Sequence, residues 1–351
     1  MNVKTVADQL CDPQAGLASP SLPAAPLIEY SRLPDFVALA KPRVMMLAVF
    51  TALVGLISAP VRPEPLVAFM AVLAIAAGAA SAGALNMWYD ADIDAVMTRT
   101  AMRPIPRGTV SRSEALLFGL MLAVAAVAGL ALATNVTAAA LLAGAILFYA
   151  VVYTAWLKRL TRQNIVIGGA AGALPPVIGW AAATGDIGPQ PLILFLIIFL
   201  WTPPHFWALA LNRCDDYARA GVPMLPVVVG RAATIRQILV YSALLAGASI
   251  LPWVLGFAGP IYGAITAVCG ALFLGLAFQL SRSSESDRRA AHRLFVFSIF
   301  YLFVLFAALM IDRGGGSSPF MRSAHGMRVD ARFGVVTLVT RSLIDVRVRE
   351  V

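Results

Sequence analysis

A regular spacing of one asparagine and two aspartates marks a short stretch of the sequence. Asn86, Asp90 and Asp94 follow each other at intervals of four residues within NMWYDADIDAVMTRT (86–100). On a helix this spacing stacks the three side chains along one face, each turned by about 40° from the last, while Asp92 points away from that face. Oxygen ligands of this kind hold Mg²⁺ together with waters and substrate oxygens. The stretch is therefore a candidate metal site, with a helix cap in the headgroup region as the alternative, and by itself it is not specific.

A second acidic stretch repeats part of this spacing. In WTPPHFWALALNRCDDYARAG (201–221), Asn212 and Asp216 again lie four residues apart, with Asp215 next to Asp216. The spacing predicts that Asn212 and Asp216 share one helix face, and for that reason we prefer Asp216 as the metal ligand. Arginines flank both stretches, and guanidinium groups bind phosphate bidentately. Two groups of carboxylates beside arginines meet the requirements of a metal–diphosphate site.

The elements that carry these residues are predicted to be membrane-spanning helices. Of the 351 residues, 60% are hydrophobic and only 13% are charged, and the mean hydropathy is +0.82, far above that of an ordinary soluble domain. A bilayer core of ~30 Å needs about 20 apolar residues per helix. The sequence therefore predicts an all-α integral membrane protein with nine transmembrane helices. The runs lie at approximately 44–60, 66–88, 113–133, 136–156, 164–184, 190–211, 234–256, 260–281 and 292–311.

The distribution of cations predicts which side of the membrane each loop faces. Lys and Arg residues precede the first span and follow the second, fourth, sixth and eighth, whereas the short connections on the other side carry only Arg62. By the positive-inside rule, the N-terminus and both acidic stretches face the cytoplasm, and the C-terminus lies outside. This topology and anionic lipid account for the net charge of +9. No nucleic-acid partner is predicted, because no soluble face interleaves basic and aromatic residues.

The two ends of the chain are predicted to lie outside the bundle. Residues 1–37 are rich in Pro, Ala and Ser and match neither a secretory signal nor an organellar transit peptide, so we expect a disordered cytoplasmic tail in a bacterial protein. Residues 38–312 form the predicted transmembrane domain. Residues 313–351 contain several arginines without an organising pattern, and no role is assigned to this tail.

The sequence resembles the UbiA-type intramembrane prenyltransferases, whose first motif is N-x-x-x-D-x-x-x-D followed by an Arg-rich stretch. Here the motif reads Asn86, Asp90 and Asp94, followed by RTAMRPIP (99–106). The resemblance is closest to the heme-farnesylating members and runs from about residue 38 to 312. It departs from the wider pattern at the second acidic motif, which reads N-R-C-D-D and leaves the choice between Asp215 and Asp216 open. The stretches that carry it are KPRVMMLAVFTALVG (41–55), YTAWLKRLTRQNIVIGGAAGALPPVIGWAAATG (153–185), WTPPHFWALAL (201–211) and DDYARAGVPMLPVVVG (215–230).

The resemblance implies a fold and a reaction. The fold is a UbiA-type bundle whose central cavity opens toward the cytoplasmic side of a bacterial inner membrane. The reaction is Mg²⁺-dependent transfer of farnesyl from farnesyl diphosphate to a vinyl group of heme b, with addition of water, giving heme O and diphosphate. Heme b is then a substrate rather than a cofactor, and a downstream heme A synthase is a possible partner.

The resemblance also assigns roles to residues of the two acidic stretches. Asp90, Asp94 and Asp216 are the implied catalytic and metal-binding carboxylates, with Asn86 as a fourth metal ligand. Cations beside them are candidate diphosphate ligands, although simple anchoring at the cytoplasmic surface is the alternative for each. The candidate diphosphate-binding residues are Asn86, Lys41, Arg43, Arg99, Arg103, Lys158 and Asn212.

A histidine within an apolar span is the residue that most separates heme from other acceptors. His205 lies in TPPHFW, one to two turns before Asn212, and imidazole is a common iron ligand and proton carrier. We therefore assign His205 a heme-facing or catalytic role, against the alternative of a hydrogen bond to a neighbouring helix. Pro203 and Pro204 are expected to interrupt the helix just before it.

Two other functions are compatible with parts of the pattern. A UbiA-type enzyme acting on a quinone precursor or another lipid acceptor would need the same diphosphate chemistry. A transporter or heme-handling membrane protein would also contain broken helices and polar helix ends. The carboxylates, however, lie at cytoplasmic helix ends rather than at the midplane, which favours the enzyme.

Overall fold

The computed structural model describes residues 32–284 and 287–313, and every regular element in these ranges is a helix. One of them, at Phe148–Leu157, is a π-helix. Of the tails expected at 1–37 and 313–351, residues 1–31 and 314–351 lie outside the described residues. The first helix begins at Leu33, inside the segment expected to be disordered. The α-helices are α1 (Leu33–Leu39), α2 (Pro42–Ser58), α3 (Pro65–Tyr89), α4 (Ala91–Val96), α5 (Arg112–Ala133), α6 (Val136–Leu147), α7 (Lys158–Leu160), α8 (Asn164–Ala173), α9 (Pro175–Thr184), α10 (Pro189–Leu211), α11 (Cys214–Arg219), α12 (Leu225–Val254), α13 (Pro260–Ser281) and α14 (Arg288–Arg313).

The helices confirm an integral membrane architecture. Within the described ranges, 8 segments are long and apolar enough to cross a bilayer, and the bent pair α1–α2, with an angle of 54°, brings the number to 9. Two spans are composite, because α6 continues through the π-helix into α7, and α8 continues into α9. The span count expected from hydropathy therefore agrees with the structure. The seventh span begins earlier than expected, at Leu225, and bends at Gly230, whose φ is 77°.

Proline and glycine explain several local features of the helices. Six of the long helices carry Pro in their first turn, where the missing N–H has no helical partner to lose. Pro175 and Pro176 begin α9, with one residue between them and the end of α8 at Ala173. Pro203 and Pro204, in contrast, lie inside a continuous α10. The expected interruption before His205 is therefore wrong, and the helix continues through both prolines.

The backbones of α2 and α9 approach each other closely. A Cβ at Gly55 would lie 2.0 Å from the carbonyl oxygen of Pro176, and one at Gly179 would lie 2.0 Å from that of Ala52. Only glycine permits such an approach, which is typical of helix packing in lipid. Buried side chains of α2, α3, α5, α6 and α9 pack together in one hydrophobic core. A second core contains buried side chains of α10, α12, α13 and α14.

Candidate active site

The first acidic stretch lies where α3 ends and α4 begins. Asp90 has non-helical φ and ψ (−83°, 10°) between the two helices, but its N–H donates to the Asn86 carbonyl at 2.9 Å and its own carbonyl accepts from the Asp94 N–H at 2.8 Å. These helix-type hydrogen bonds preserve the four-residue spacing across the break. All three side chains are buried, with exposed fractions of 5%, 0% and 2% for Asn86, Asp90 and Asp94.

Every polar atom of the Asn86 side chain is used. Its amide nitrogen donates to Asp90 Oδ2 at 2.8 Å and to Thr154 Oγ1 at 3.0 Å. Its amide oxygen accepts from Lys41 Nζ at 2.5 Å. Because the two N–H groups and the oxygen have distinct partners, the orientation of the amide is determined, and Asn86 joins three segments of the chain at Asp90.

The backbone at Lys41 directs its side chain toward this point. Lys41 separates α1 from α2 and is the one described non-glycine residue with positive φ (53°), with Pro42 following it. Left-handed geometry is costly for a residue with a Cβ and persists only where the surroundings impose it. Lys41 also lies within electrostatic range of Asp90 and Asp94, so the turn delivers a cation to the acidic stretch.

Two further cations pair directly with the carboxylates. Lys158 Nζ lies 2.5 Å from Asp90 Oδ2, and Arg103 Nη1 lies 2.5 Å from Asp94 Oδ2. Both aspartates are buried in these pairs, whereas the side chains of Lys158 and Arg103 remain partly exposed. The other oxygen of Asp90, Oδ1, is buried without a hydrogen bond. The site therefore has neutralised carboxylates and one buried acceptor atom still available.

Arg159 is a residue of the site that the sequence analysis missed. It donates to both oxygens of Asp92 at 2.8 and 2.7 Å, lies 3.8 Å from Asp90 Oδ1, and covers the Tyr89 ring at 5.0 Å from its centroid. The hydrogen bonds from Arg159 lower the pKa of Asp92 to about 2, so Asp92 stays ionised at neutral pH. Asp92 is half-exposed and turned away from the Asn86 face, as its spacing predicted.

The second acidic stretch differs from its predicted geometry. The helix α10 ends at Leu211, and Asp216 lies in the separate short helix α11. Asn212 donates to the Arg288 carbonyl at 3.1 Å, whereas Asp216 accepts from Thr98 Oγ1 at 3.0 Å and pairs with Arg219. The two residues do not share one helix face, contrary to the prediction, because α10 ends before Asn212 and Asp216 belongs to a separate helix.

The loop that follows α4 brings the two acidic stretches together. Thr98 donates to Asp216 and accepts from Arg219 Nη2 at 3.0 Å. Burial would raise the pKa of Asp216, but the hydrogen bonds from Thr98 and Arg219 outweigh it and lower the pKa below its usual value. Arg99 follows Thr98 and lies within electrostatic range of the Tyr217 hydroxyl. Arg43 is exposed and makes no hydrogen bond or ion pair with any described residue, so the structure does not bring it into this cluster.

His205 is buried between α10 and α14. Its ring stacks on Trp201 at 4.2 Å and on Phe295 at 4.8 Å between centroids. Its Nδ1 lies 2.6 Å from Ser298 Oγ, and the Ser298 hydroxyl donates to the Phe295 carbonyl at 2.6 Å. Since that hydroxyl has a single hydrogen, the tautomer that satisfies both contacts has Nδ1 as the donor and the lone pair of the neutral ring on Nε2.

An apolar cavity adjoins the first acidic stretch. Its volume is about 150 Å³, and most of its lining consists of small and aliphatic side chains from α2, α3, α6, α8 and α9. Lys41, whose ammonium group bonds to Asn86, is part of the lining, and so is Tyr149 of the π-helix, which stacks on Tyr153 at 5.3 Å. An apolar space that meets a cation and carboxylates suits a ligand with an apolar chain and an anionic head.

Comparison with known proteins identifies the family. Residues 48–310 match the UbiA prenyltransferase family. The chain belongs to the UbiA prenyltransferase family. It is 60% identical over 288 residues to the protoheme IX farnesyltransferase of Afipia carboxidovorans. The aligned region covers 82% of this chain and 92% of that protein. It is 57% identical over 293 residues to the enzyme of the same name from Rhodopseudomonas palustris, and this alignment covers 83% of this chain and 94% of that protein. The resemblance found in the sequence is confirmed.

Solved structures show that the UbiA fold is the fold of this chain. A digeranylgeranylglyceryl phosphate synthase has a TM-score of 0.67 at 20% identity, covering 80% of this chain and 98% of that chain. A UbiA homologue from Archaeoglobus fulgidus bound to GPP and Mg²⁺ has a TM-score of 0.60 at 17% identity, covering 79% and 99%. At these identities the likeness establishes the helical bundle and no more.

The acidic residues of this site fit a metal that is held jointly with a phosphate. Among the described residues, no three His, Cys, Asp or Glu side chains lie close enough to hold a metal by themselves. Asp90, Asp94 and Asp216 therefore do not form one protein cage. Mg²⁺ needs no such cage, because it commonly binds one or two carboxylates and completes its shell with waters and substrate phosphates. Asp90 Oδ1 is a suitable ligand atom, because it is buried, accepts no hydrogen bond from the described residues and has Arg159 at 3.8 Å as its ion-pair partner.

Proposed function

We propose that this protein transfers the farnesyl group of farnesyl diphosphate to a vinyl group of heme b, with addition of water, to give heme O and diphosphate. The observation that carries the proposal is the junction at Lys41, where an apolar cavity meets the buried Asn86–Asp90–Asp94 row. Relatives that are 57–60% identical and named protoheme IX farnesyltransferase support heme b as the acceptor. The bilayer supplies the environment for both apolar substrates.

In this proposal the diphosphate binds at the cations around the first acidic stretch. Lys41, Lys158 and Arg103 lie next to the carboxylates and are assigned to the phosphate oxygens. Arg99 joins them from the loop that reaches Asp216. Arg43 and Asn212, which were also candidates, receive less support because neither contacts the carboxylates.

We assign Mg²⁺ to Asp90 and Asp94, with Asp216 on the opposite acidic stretch, and treat Asn86 as the residue that orients Asp90. The ion, when bound, neutralises charge that develops on the leaving diphosphate. UbiA homologue structures bound to Mg²⁺ and to Cd²⁺ show that relatives bind divalent ions. The farnesyl chain lies in the apolar cavity, where Tyr149 and the aliphatic lining exclude water from the reacting carbon.

The reaction breaks the bond between farnesyl C1 and the diphosphate oxygen. The bonding electron pair leaves with the diphosphate, whose charge Lys41, Lys158 and Arg103 stabilise. The terminal vinyl carbon of heme b supplies the electron pair of the new carbon–carbon bond at C1. The positive charge then lies on the vinyl carbon next to the porphyrin, which takes up water and loses one proton to give the hydroxyl group of heme O.

His205 is proposed to face the heme. The lone pair that the hydrogen-bond pattern leaves on Nε2 is the form of imidazole that ligates iron or accepts a proton. Trp201 and Phe295 hold the ring in a fixed plane. The product is expected to pass to a heme A synthase, and the protein to lie in a bacterial inner membrane with the N-terminus and both acidic stretches in the cytoplasm and the C-terminus outside.

An acceptor competition tests this function. Membranes containing the protein receive labelled farnesyl diphosphate, Mg²⁺ and either heme b or a quinone precursor such as 4-hydroxybenzoate, and the products are separated by chromatography. We expect label in a heme more hydrophobic than heme b and none in the aromatic acid. Labelled aromatic acid without labelled heme would instead support the quinone-type enzyme.

A further inference from the structure

The buried carboxylates of the site are already paired with cations that also suit the substrate. Lys158 lies 2.5 Å from Asp90, and Arg103 lies 2.5 Å from Asp94. The same cations are the ones that the proposed function assigns to the diphosphate. A carboxylate and a diphosphate cannot both hold one ammonium group at full strength, so the pairs must rearrange when the ligands bind.

We propose that Lys158 and Arg103 are exchangeable counter-ions. In the observed arrangement they neutralise Asp90 and Asp94, and they transfer to the diphosphate as the two carboxylates turn to the metal. Metal and prenyl diphosphate consequently bind as a cooperative pair, and each binds weakly without the other. The inference rests on the proposed function, since it concerns how the same site takes up its two charged ligands.

The charge balance of the site supports this exchange. Lys158 and Arg103 already match the negative charges of Asp90 and Asp94 one for one. A divalent ion alone would add two positive charges to these pairs, and a fully ionised prenyl diphosphate alone would add three negative charges. Bound together, the two ligands change the charge of the site by only one unit, and a buried net charge is costly.

The hydrogen bonds show how the exchange can begin. Asp90 Oδ2 is occupied by Lys158 and Asn86, whereas Oδ1 is buried without a hydrogen bond. Among the described residues, Arg159, 3.8 Å from Oδ1, is the one cation that must shift for a metal to meet this atom, so a metal can reach Oδ1 before Lys158 leaves Oδ2. Lys158 is partly exposed, with 15% of its side chain accessible, and its flexible stem lets the ammonium group move while Asn86 keeps the carboxylate oriented.

Metal binding to the full-length protein in lipid nanodiscs tests the proposal without turnover. The probe is Mn²⁺, whose free concentration is read by electron paramagnetic resonance. It is titrated alone and with a saturating farnesyl diphosphate analogue in which sulfur replaces the bridging oxygen. We expect the analogue to tighten Mn²⁺ binding by about tenfold or more, within the usual range of coupling between two sites. Equal Mn²⁺ affinity with and without the analogue would overturn the proposal.

A variant separates exchange from a structural role. Lys158→Met removes the competing ammonium group, so Mn²⁺ alone should bind more tightly than to the wild type and the effect of the analogue should shrink. Arg103→Met is the second variant, with the same expectation at Asp94. Arg107→Met is the matched control, because Arg107 pairs with Asp35 at the surface at 2.7 Å, and its Mn²⁺ affinity should equal that of the wild type.

One outcome overturns the exchange alone, and two others separate it from the proposed function. Weaker binding of Mn²⁺ alone to folded Lys158→Met would show that the lysine only supports the site, and would overturn the exchange. Formation of heme O by a wild-type protein that shows no coupling would leave the function intact and remove the exchange. Clear coupling without heme O formation would retain the exchange and remove heme b as the acceptor.

Discussion

Asn86 is the residue on which the order of the first acidic stretch depends. It uses its whole amide to join Lys41, Asp90 and Thr154, which come from three separate segments of the chain. The spacing of Asn86, Asp90 and Asp94 could be predicted, because helix periodicity is a local property. The contacts of Asp92 with Arg159 and of Asp216 with Thr98 could not, because each joins positions more than sixty residues apart.

Asn86→Ala is expected to lower kcat/KM for farnesyl diphosphate by about tenfold or more, since each buried polar group left without a partner costs about 1–3 kcal/mol. The substitution removes partners of Lys41, Thr154 and Asp90 at once. Asn135→Ala is the matched control, because Asn135 caps α6 and bonds to Ala181 in another part of the chain. It should lower the unfolding temperature without changing kcat/KM. A similar loss of kcat/KM in both variants would contradict the role of Asn86.

Arg159→Met is expected to lower kcat/KM about threefold to tenfold, in line with the loss of a charge-assisted contact worth about 1 kcal/mol. Without Arg159, α4 loses its link to α7 through Asp92, and Asp90 loses the cation 3.8 Å from Oδ1. Steady-state kinetics with farnesyl diphosphate checks this. Arg162→Met, an exposed change three residues later, serves as the control and should behave like the wild type.

The helices divide into those that hydropathy predicts and those that depend on tertiary packing. The predicted spans follow from long apolar runs, and the described residues contain 8 helices of sufficient length, or 9 if the bent pair α1–α2 is counted as one span. The turn at Lys41, the π-helix at Phe148–Leu157 and the bend at Gly230 leave no comparable signal. Pro203 and Pro204 misled the prediction, because neighbouring helices can stabilise a proline-containing span that would break in water.

Gly179→Ala tests the close contact between α2 and α9, two helices that both line the apolar cavity. The added Cβ would lie 2.0 Å from the Ala52 carbonyl, so α2 and α9 must separate, and overpacking of this kind costs about 1–3 kcal/mol. We expect a lower unfolding temperature in detergent. Gly144→Ala in α6 adds a Cβ that meets nothing within 4 Å, and it should be neutral or slightly stabilising. Equal unfolding temperatures for the two variants would argue against the contact.

At the scale of the whole molecule, the bundle places both acidic stretches at one end. Thr98 connects them directly, which agrees with the expectation that both face the same side of the membrane. The sequence could predict the family, the helical bundle and most of the charged residues around Asp90. It could not predict that Asn212 donates to the Arg288 carbonyl or that Arg43 stays apart from the acidic residues. The position where α10 ends and the directions of these side chains depend on tertiary packing.

Cysteine labelling tests the predicted membrane orientation. In a background without native cysteines, Arg62→Cys and Arg162→Cys place single thiols in connections on opposite predicted sides. By the positive-inside rule, a membrane-impermeant maleimide should label Arg62→Cys in intact cells and Arg162→Cys only after permeabilisation. The reverse pattern would place the acidic stretches outside and contradict the orientation.

The most direct test of the central claim measures both products of one reaction. Purified protein in nanodiscs receives farnesyl diphosphate, heme b and Mg²⁺, and heme O and diphosphate are quantified together. The account predicts equal amounts of both products, dependence on Mg²⁺, and a loss of at least about a hundredfold in Asp90→Ala, since charge stabilisation of a leaving group is worth several kcal/mol. Heme O formation that is unchanged in folded Asp90→Ala would contradict the account.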